Sequence, residues 1–260
     1  MLKFNEINFN KYEKKGSDYH YNQINKKSLL RFNAYVYARY YLELEILKFI
    51  LKKSSNNSIK VLDIGCGDGV FINLIKKHLK KRNLTCYGID SSEIAIKTAK
   101  EKNIQANFKI ANVYNVPFED GFFDIILSSD VIEHLLNQKR FLSEISRVGT
   151  EKSTIIIGTP IRFLEIHLDK MHHHEFFPLE FKILLENFFR DIKIIQSHKL
   201  SLFLLYNNSL SIFKRDFFFH KTLINFASIY LNSNPFFRIK KNNNINESYS
   251  YMFGICKNNK

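Results

Sequence analysis

Tryptophan is absent from the 260 residues, proline occurs only four times, and cysteine only three times. So little proline, with glycine at nine, excludes a collagen-like or low-complexity chain. Cys66, Cys86 and Cys256 sit in apolar or glycine-rich strings with no Cys-x-x-Cys pair. That excludes a disulfide scaffold and a cysteine zinc site, and leaves reduced, structural thiols. No apolar run reaches the roughly 18 residues that a membrane-spanning helix needs. The opening Met-Leu-Lys-Phe-Asn-Glu-Ile-Asn-Phe-Asn lacks a basic start followed by an apolar stretch, so no secretory signal is read there and the expected location is cytoplasmic. Acid is scarce too: 25 Asp and Glu stand against 39 Lys and Arg, a net charge of +14. The lysines are scattered among Asn, Ile and Phe without a compact basic run, so the charge reads as compositional bias and nucleic acid is not the expected partner.

Hydrophobic residues at 45% and charged residues at 25% describe an ordinary globular chain. Its length suits one large domain, or a domain with an appendage. From Ser28 to Leu51 apolar positions recur at helical spacing, including Leu30, Ala34, Ala38, Leu42, Ile46 and Phe49, until Ser54-Ser55-Asn56-Asn57-Ser58 breaks the pattern. Strand-like and helical strings then alternate. Strands are expected at 59–64, 85–89, 108–111, 123–129 and 154–158, and helices at 70–81, 92–102 and 138–148. Later come a helix near 179–188 and strands at 191–196 and 249–256. This alternation predicts a doubly wound α/β fold, a mostly parallel sheet of about seven strands with helices on both faces, an N-terminal helix and a C-terminal helical insertion. The division expected is an N-terminal helical cap at 1–57 and a main domain at 58–260. An aromatic and basic insertion occupies about 198–247.

The most informative string is Val61-Leu62-Asp63-Ile64-Gly65-Cys66-Gly67-Asp68-Gly69. A buried strand runs into three alternating glycines and then a helix. Glycine is needed where the backbone turns sharply or a ligand approaches the main chain, and the carboxyl ends of parallel strands are where such folds bind ligands. A pyrophosphate-binding loop would space its glycines as Gly-x-Gly-x-x-Gly. Here they stand at 65, 67 and 69, with Asp63 two residues ahead. A carboxylate there repels pyrophosphate and suits a ligand carrying an ammonium or sulfonium charge. Asp90 follows 21 residues after Gly69 (90 − 69), at the end of the second strand.

The Asp-x-Gly-x-Gly-x-Gly string resembles the first motif of class I S-adenosylmethionine-dependent methyltransferases, in a Rossmann-like fold. The likeness is strongest over about residues 59–160. Asp90 resembles the family's acid for the two ribose hydroxyls. Ala111-Asn112-Val113-Tyr114-Asn115-Val116-Pro117-Phe118 looks like its adenine-binding turn, with Asn112 where Asp is usual. Ser128-Ser129-Asp130-Val131-Ile132-Glu133-His134-Leu135 resembles the segment bordering methionine and acceptor. Arg31-Phe32-Asn33 is similar to an Arg-x-Asn string of ubiquinone-pathway O-methyltransferases, whose arginine meets the cofactor carboxylate. The resemblance thus implies S-adenosylmethionine as cofactor, held by Asp63, Gly65, Cys66, Gly67, Gly69, Asp90, Ser91, Asn112, Val113, Ser129 and Arg31.

It also implies methyl transfer to a small-molecule or lipid- or sugar-linked acceptor, at oxygen. His134 is the candidate base, because an ordinary imidazole pKa suits proton removal near neutral pH; capping a helix start is its other reading. Asp130, Glu133 and His134 at helical spacing, with His172, His173 and His174, resemble a divalent-metal set of small-RNA 2′-O-methyltransferases. Asp130 replaces their Glu, and the expectation is that no metal is bound. His172 to His174 then form a polar substrate loop. Two other functions stay open, an RNA 2′-O-methyltransferase-like enzyme and a catalytically silent cofactor-binding scaffold. The insertion, with Phe213, Phe217 and Phe218 beside Lys214, Arg215 and Lys221, reads as core or lid, with an interface to another subunit or a peripheral membrane contact as its other readings.

Overall fold

The computed structural model describes residues 11–54, 58–80, 83–102, 105–163, 169, 171–208, 210–212, 215–217, 219–237 and 248–258. Residues 1–10, the break at 55–57, Phe213, Lys214 and Phe218 lie outside these. In chain order the elements are α1 (Lys11–Lys15), α2 (Tyr19–Ile24), α3 (Ala34–Lys53), β1 (Ile59–Ile64), α4 (Val70–His78), β2 (Leu84–Asp90), α5 (Glu93–Glu101), β3 (Asn107–Ile110) and β4 (Phe123–Ser129). A 3-10 turn at Ile132–His134 leads to α6 (Gln138–Val148), β5 (Gly149–Pro160), α7 (Pro178–Glu186), β6 (Phe189–Lys199) and α8 (Leu200–Asn207). The hairpin β7 (Leu210–Ile212) and β8 (Arg215–Phe217), then α9 (Phe219–Tyr230) and a 3-10 turn at Pro235–Phe237, precede β9 (Tyr249–Asn258).

Seven strands form one sheet in the order β3-β2-β1-β4-β5-β9-β6, and β3, β2, β1, β4 and β5 pair parallel. The expected doubly wound α/β architecture is the observed one. Nearly all of β1 and β4 and the second half of β5 are buried, as strands covered on both faces must be. The strand order reverses between β1 and β4, and such a switch point opens a crevice at the carboxyl ends of the strands.

Local chemistry explains the helices around that crevice. Asn137 caps α6 by accepting from the Arg140 amide at 3.0 Å. One face of α6 then buries Phe141, Leu142, Ile145 and Val148, each contributing about 1.5–3 kcal/mol when fully covered. Ser92 caps α5 through the Ala95 amide at 3.2 Å.

The chain groups into two compact units, one of residues 11–19, 54–195 and 252–258, the other of 20–53 and 196–251, as far as each is described. The first holds the crevice. The second is built on α3, whose expected start at Ser28 falls six residues too early. Asn33 ends the preceding turns by accepting from the Tyr35 and Val36 amides at 3.1 Å each. Its core gathers Phe32, Ala34, Tyr35, Ala38, Tyr206 and Phe236. Among the described residues no helix is long and apolar enough to cross a membrane.

Candidate cofactor and acceptor site

The glycine loop is shaped before any ligand arrives. Gly65, Gly67 and Gly69 have φ of 76°, 54° and 79°, in the left-handed region that side chains disfavour. The Gly65 and Cys66 amides donate to the Ile89 carbonyl at 2.8 and 3.0 Å, tying the loop to β2. A Cβ on Gly65 would lie 2.3 Å from Val131 Cγ2, so the loop and the segment after β4 meet in a gap that admits no side chain. Asp90 latches the other side. Its Oδ2 accepts from the Gly67 amide at 2.9 Å and its Oδ1 from the Ser92 amide at 2.8 Å. Ser91 between them is exposed.

Asp63 is 6% exposed, and burial, then the nearby Asp90 carboxylate, pushes its carboxyl up to about 7. Two carboxyls that resist sharing negative charge favour a cationic ligand group nearby. Burial pushes the Cys66 thiol well above its ordinary range, so this side chain packs rather than reacts.

The Ala111 amide donates to the Asp90 carbonyl at 3.0 Å, which sets the turn at 111–118 beside the acid. Asn112 is exposed and its Oδ1 accepts from the Tyr114 amide at 2.8 Å, while Val113 is half-buried. Behind the turn, Arg147 donates to the Val116 and Phe118 carbonyls at 2.8 and 2.9 Å, and Glu144 accepts from the Val116 amide at 2.8 Å. Sequence reasoning missed this brace, although arginine three residues after glutamate on a helix was a readable pairing signal.

Across the crevice, Ser128 Oγ donates to the Ile64 carbonyl at 3.1 Å, joining the ends of β4 and β1. Ser129 Oγ is buried and has no hydrogen-bond partner. Asp130 turns left-handed at φ 59°, and Glu133 and His134 follow in the 3-10 turn. The helical spacing expected for Asp130, Glu133 and His134 therefore does not form, because the chain reverses at Asp130 before any α-helical turn begins.

What gathers instead is Glu133, His134 and His172, whose ligand atoms lie within 4.8 Å of one another. Glu133 clamps the histidine loop: its carbonyl accepts from the His173 and His174 amides at 2.7 and 3.1 Å. Its Oε2 accepts from Thr159 Oγ1 at 3.1 Å, and its Oε1 is buried without a hydrogen-bond partner. Burial, then Asp130, pushes this carboxyl up to about 8. His134 donates from Nδ1 to the Met171 carbonyl at 2.8 Å, which leaves Nε2 as the unprotonated nitrogen of the neutral ring. Burial holds its pKa below the ordinary value. His172 Nδ1 meets Glu175 Oε1 at 2.5 Å, and although burial opposes charge on this ring, that bond and the surrounding carboxylates raise its pKa. His174 Nε2 lies 2.6 Å from Glu180 Oε1, so the expected substrate loop is tied down at several points.

Two contributors had no sequence signal. Tyr12, 3% exposed on α1, accepts at its Oη from the Asp68 amide of the glycine loop at 3.1 Å. Its neighbour Lys11 pairs with Asp169 at 3.3 Å, beside the histidine loop. Arg31 is exposed in the turn before α3, in the second unit.

Comparison with known proteins finds methyltransferases among both the sequence relatives and the solved structures. A family model described as a methyltransferase domain matches residues 62–157. The chain is 33% identical over 104 residues to ajmaline N-methyltransferase of Rauvolfia serpentina, covering 37% of this chain and 34% of that protein. It is 33% identical over 106 residues to the chloroplastic tocopherol O-methyltransferase of Arabidopsis thaliana, covering 38% and 30%. The chain therefore spans about a third of the length of these relatives. An S-adenosylmethionine-dependent methyltransferase from Archaeoglobus fulgidus superposes with a TM-score of 0.56 at 22% identity, over 84% of this chain and 94% of that one. A Haemonchus contortus phosphoethanolamine N-methyltransferase 2, solved with phosphomonomethylethanolamine and S-adenosylhomocysteine, gives 0.59 at 14%, over 92% and 59%. With Asp63, the left-handed glycines and Asp90 assembled at the switch point of the sheet, residues 62–157 are a methyltransferase domain, similar to those of S-adenosylmethionine-dependent methyltransferases.

Proposed function

We propose that the chain transfers the methyl group of S-adenosylmethionine to an oxygen of a small-molecule or lipid- or sugar-linked acceptor. The observation that carries this reading is the preformed loop, with Asp90 bonded to the Gly67 and Ser92 amides and Asp63 buried beneath it. The pair of carboxyls suits a cationic ligand, and the crevice between β1 and β4 suits a nucleoside. Bound there, S-adenosylmethionine supplies a methyl on a sulfonium. Asp90 takes the ribose hydroxyls, and Asn112 and Val113 the adenine. The loop residues Gly65, Cys66, Gly67 and Gly69, with Ser91 and Ser129, line the remainder. Arg31 keeps its pairing with the cofactor carboxylate on the sequence resemblance alone.

Oxygen is favoured over nitrogen because His134 presents a neutral imidazole whose Nδ1 is already committed to Met171. His134 Nε2 would take the proton of an acceptor oxygen that received the methyl group, with a neutral thioether as the product left from the sulfonium. Positioning of the two partners supplies most of the acceleration. Titration calorimetry tests the cofactor half: S-adenosylmethionine should bind in the low-micromolar range. Binding of NADH in its place would overturn it. Radiolabelled methyl transfer into fractionated small-molecule and lipid extracts tests the acceptor half.

One observation favours a second reading. Glu133 Oε1 is buried without a hydrogen-bond partner inside the cluster with His134 and His172, and the Nδ1 atoms of both rings are held by Met171 and Glu175. A divalent cation would be bound by this donor set, with His134 as ligand rather than base. Turnover that survives a chelator supports the base. Turnover lost to a chelator and restored by magnesium, manganese or zinc assigns the cluster to a metal.

A further inference from the structure

Helix α9 buries its polar side. Asn225 and Ser228 are each 2% exposed, whereas Phe219, Leu223, Phe226 and Tyr230 are 67, 55, 44 and 62% exposed. These four stand at i, i+4, i+7 and i+11, so they form one stripe along the helix. The inversion has a local cause. Asn225 Oδ1 accepts from the Ala34 amide at 3.1 Å and from Tyr206 Oη at 2.7 Å, and its Nδ2 donates to the Phe32 carbonyl at 2.7 Å. Turning the stripe inward would strip Asn225 from the start of α3, leaving the Phe32 carbonyl unpaired and the Ala34 amide with Tyr206 alone.

Leu231, just past the helix, is 67% exposed, and Leu204 and Leu205 of α8 are 49 and 40% exposed. Contiguous exposed apolar surface of this kind marks an interaction site. Charge says which partner. From His198 to Tyr251 the only acids are Asp216 and Glu247, against seven lysines and arginines, and α9 itself carries none of the acids.

We propose that α9 docks on the surface of a bilayer containing acidic phospholipid. Its aromatic and aliphatic stripe enters the boundary between headgroups and acyl chains, and the flanking cations meet lipid phosphates. No described helix can span a bilayer, so the contact is peripheral. Such docking would bring the second unit to lipid-borne acceptors. It does not depend on the proposed transfer, because it is measured without cofactor.

The full chain is mixed with sedimenting vesicles of phosphatidylcholine, and with the same vesicles carrying phosphatidylglycerol. Binding should be roughly tenfold stronger to the acidic vesicles and should weaken as salt rises. The double variant Phe219→Ser/Phe226→Ser should lower it roughly tenfold. Its urea unfolding and S-adenosylmethionine affinity should stay unchanged, because both side chains are exposed. Absence of vesicle binding would overturn the proposal, and equal binding to both vesicle types would overturn the acidic-lipid assignment. A concentration-dependent dimer that the double variant abolishes, without vesicle binding, would give the face to a second copy of the chain.

Discussion

Gly65→Ala perturbs the site by a single carbon whose consequences can be worked out in advance. The backbone there has φ 76°, and holding a non-glycine residue left-handed costs about 1–2 kcal/mol. The new Cβ would stand 2.3 Å from Val131 Cγ2, against an optimum of about 3.5–4.0 Å between carbons. More than an ångström must be recovered by moving Val131 or the loop, an overpacking cost of about 1–3 kcal/mol. Together these predict roughly 2–5 kcal/mol of lost stability, a melting temperature lower by several degrees, and weaker S-adenosylmethionine binding wherever the loop gives way.

A double-mutant cycle separates the two costs. Val131→Ala alone removes two methyl groups from a half-buried position and costs about 1 kcal/mol. In the Gly65→Ala background it should instead recover much of the steric part, and leave the backbone part untouched. Urea unfolding of the four proteins reads the coupling. The reasoning is refuted if Gly65→Ala is as stable as the parent, or if the two changes are additive within about 0.5 kcal/mol.

Asp90→Ala removes the latch to Gly67 and Ser92 together with the ribose acceptor, so S-adenosylmethionine affinity should fall by about 2 kcal/mol, roughly 30-fold; titration calorimetry showing less than threefold would remove Asp90 from the site. Asp63, held near 7, is partly protonated at neutral pH, and a cationic ligand favours its ionised form. Binding should then release a proton below about pH 7 and tighten as pH rises through that value; calorimetry in buffers of different ionisation enthalpy would expose proton uptake or a flat profile as contrary results. His134→Ala should lower turnover by about 10²–10⁴ while leaving cofactor affinity within about threefold. Because burial keeps this imidazole below its ordinary pKa, the basic form persists into mild acid, and the midpoint of the fall in rate should lie below about pH 6.5; equal loss of binding and activity would make the residue structural.

The sheet and the loop were legible because their signals are local. Ile59–Ile64, Phe123–Ser129 and Gln138–Val148 form over the expected residues, two as apolar runs buried on both faces and one behind an Asn137 cap. The three glycines were legible because their backbone conformation is one that other side chains avoid. The acceptor side was only half legible. Asp130 to His134 shows helical spacing, but the left-handed turn at Asp130 cancels it, and His172 joins Glu133 and His134 across nearly forty positions. Tyr12 reaches the Asp68 amide over a still longer gap of 56 positions. A tyrosine near the start of a chain carries no sign of the amide it will satisfy.

Helix α9 exposes a different limit. Its apolar residues repeat with helical period, and that pattern states which side chains share a face. Which face turns inward is a separate matter, settled by competition between apolar area and unpaired backbone groups. For α3 the question reduces to the Ala34 amide at its first turn and the Phe32 carbonyl just ahead of it, both in buried residues and neither served by the helix's own hydrogen bonds. Asn225 satisfies each of them, and Tyr206 reinforces the amide at 3.0 Å. Without Asn225 the Phe32 carbonyl would be left unpaired at a cost of about 1–3 kcal/mol, and the Ala34 amide would keep Tyr206 alone. Burying Phe219 and Phe226 would return about 1.5–3 kcal/mol each at most, and less for surface already half covered. The terms are of similar size, so the Asn225 network offsets much of what the stripe would gain by burial, and the apolar face is left outward for the proposed lipid surface to cover.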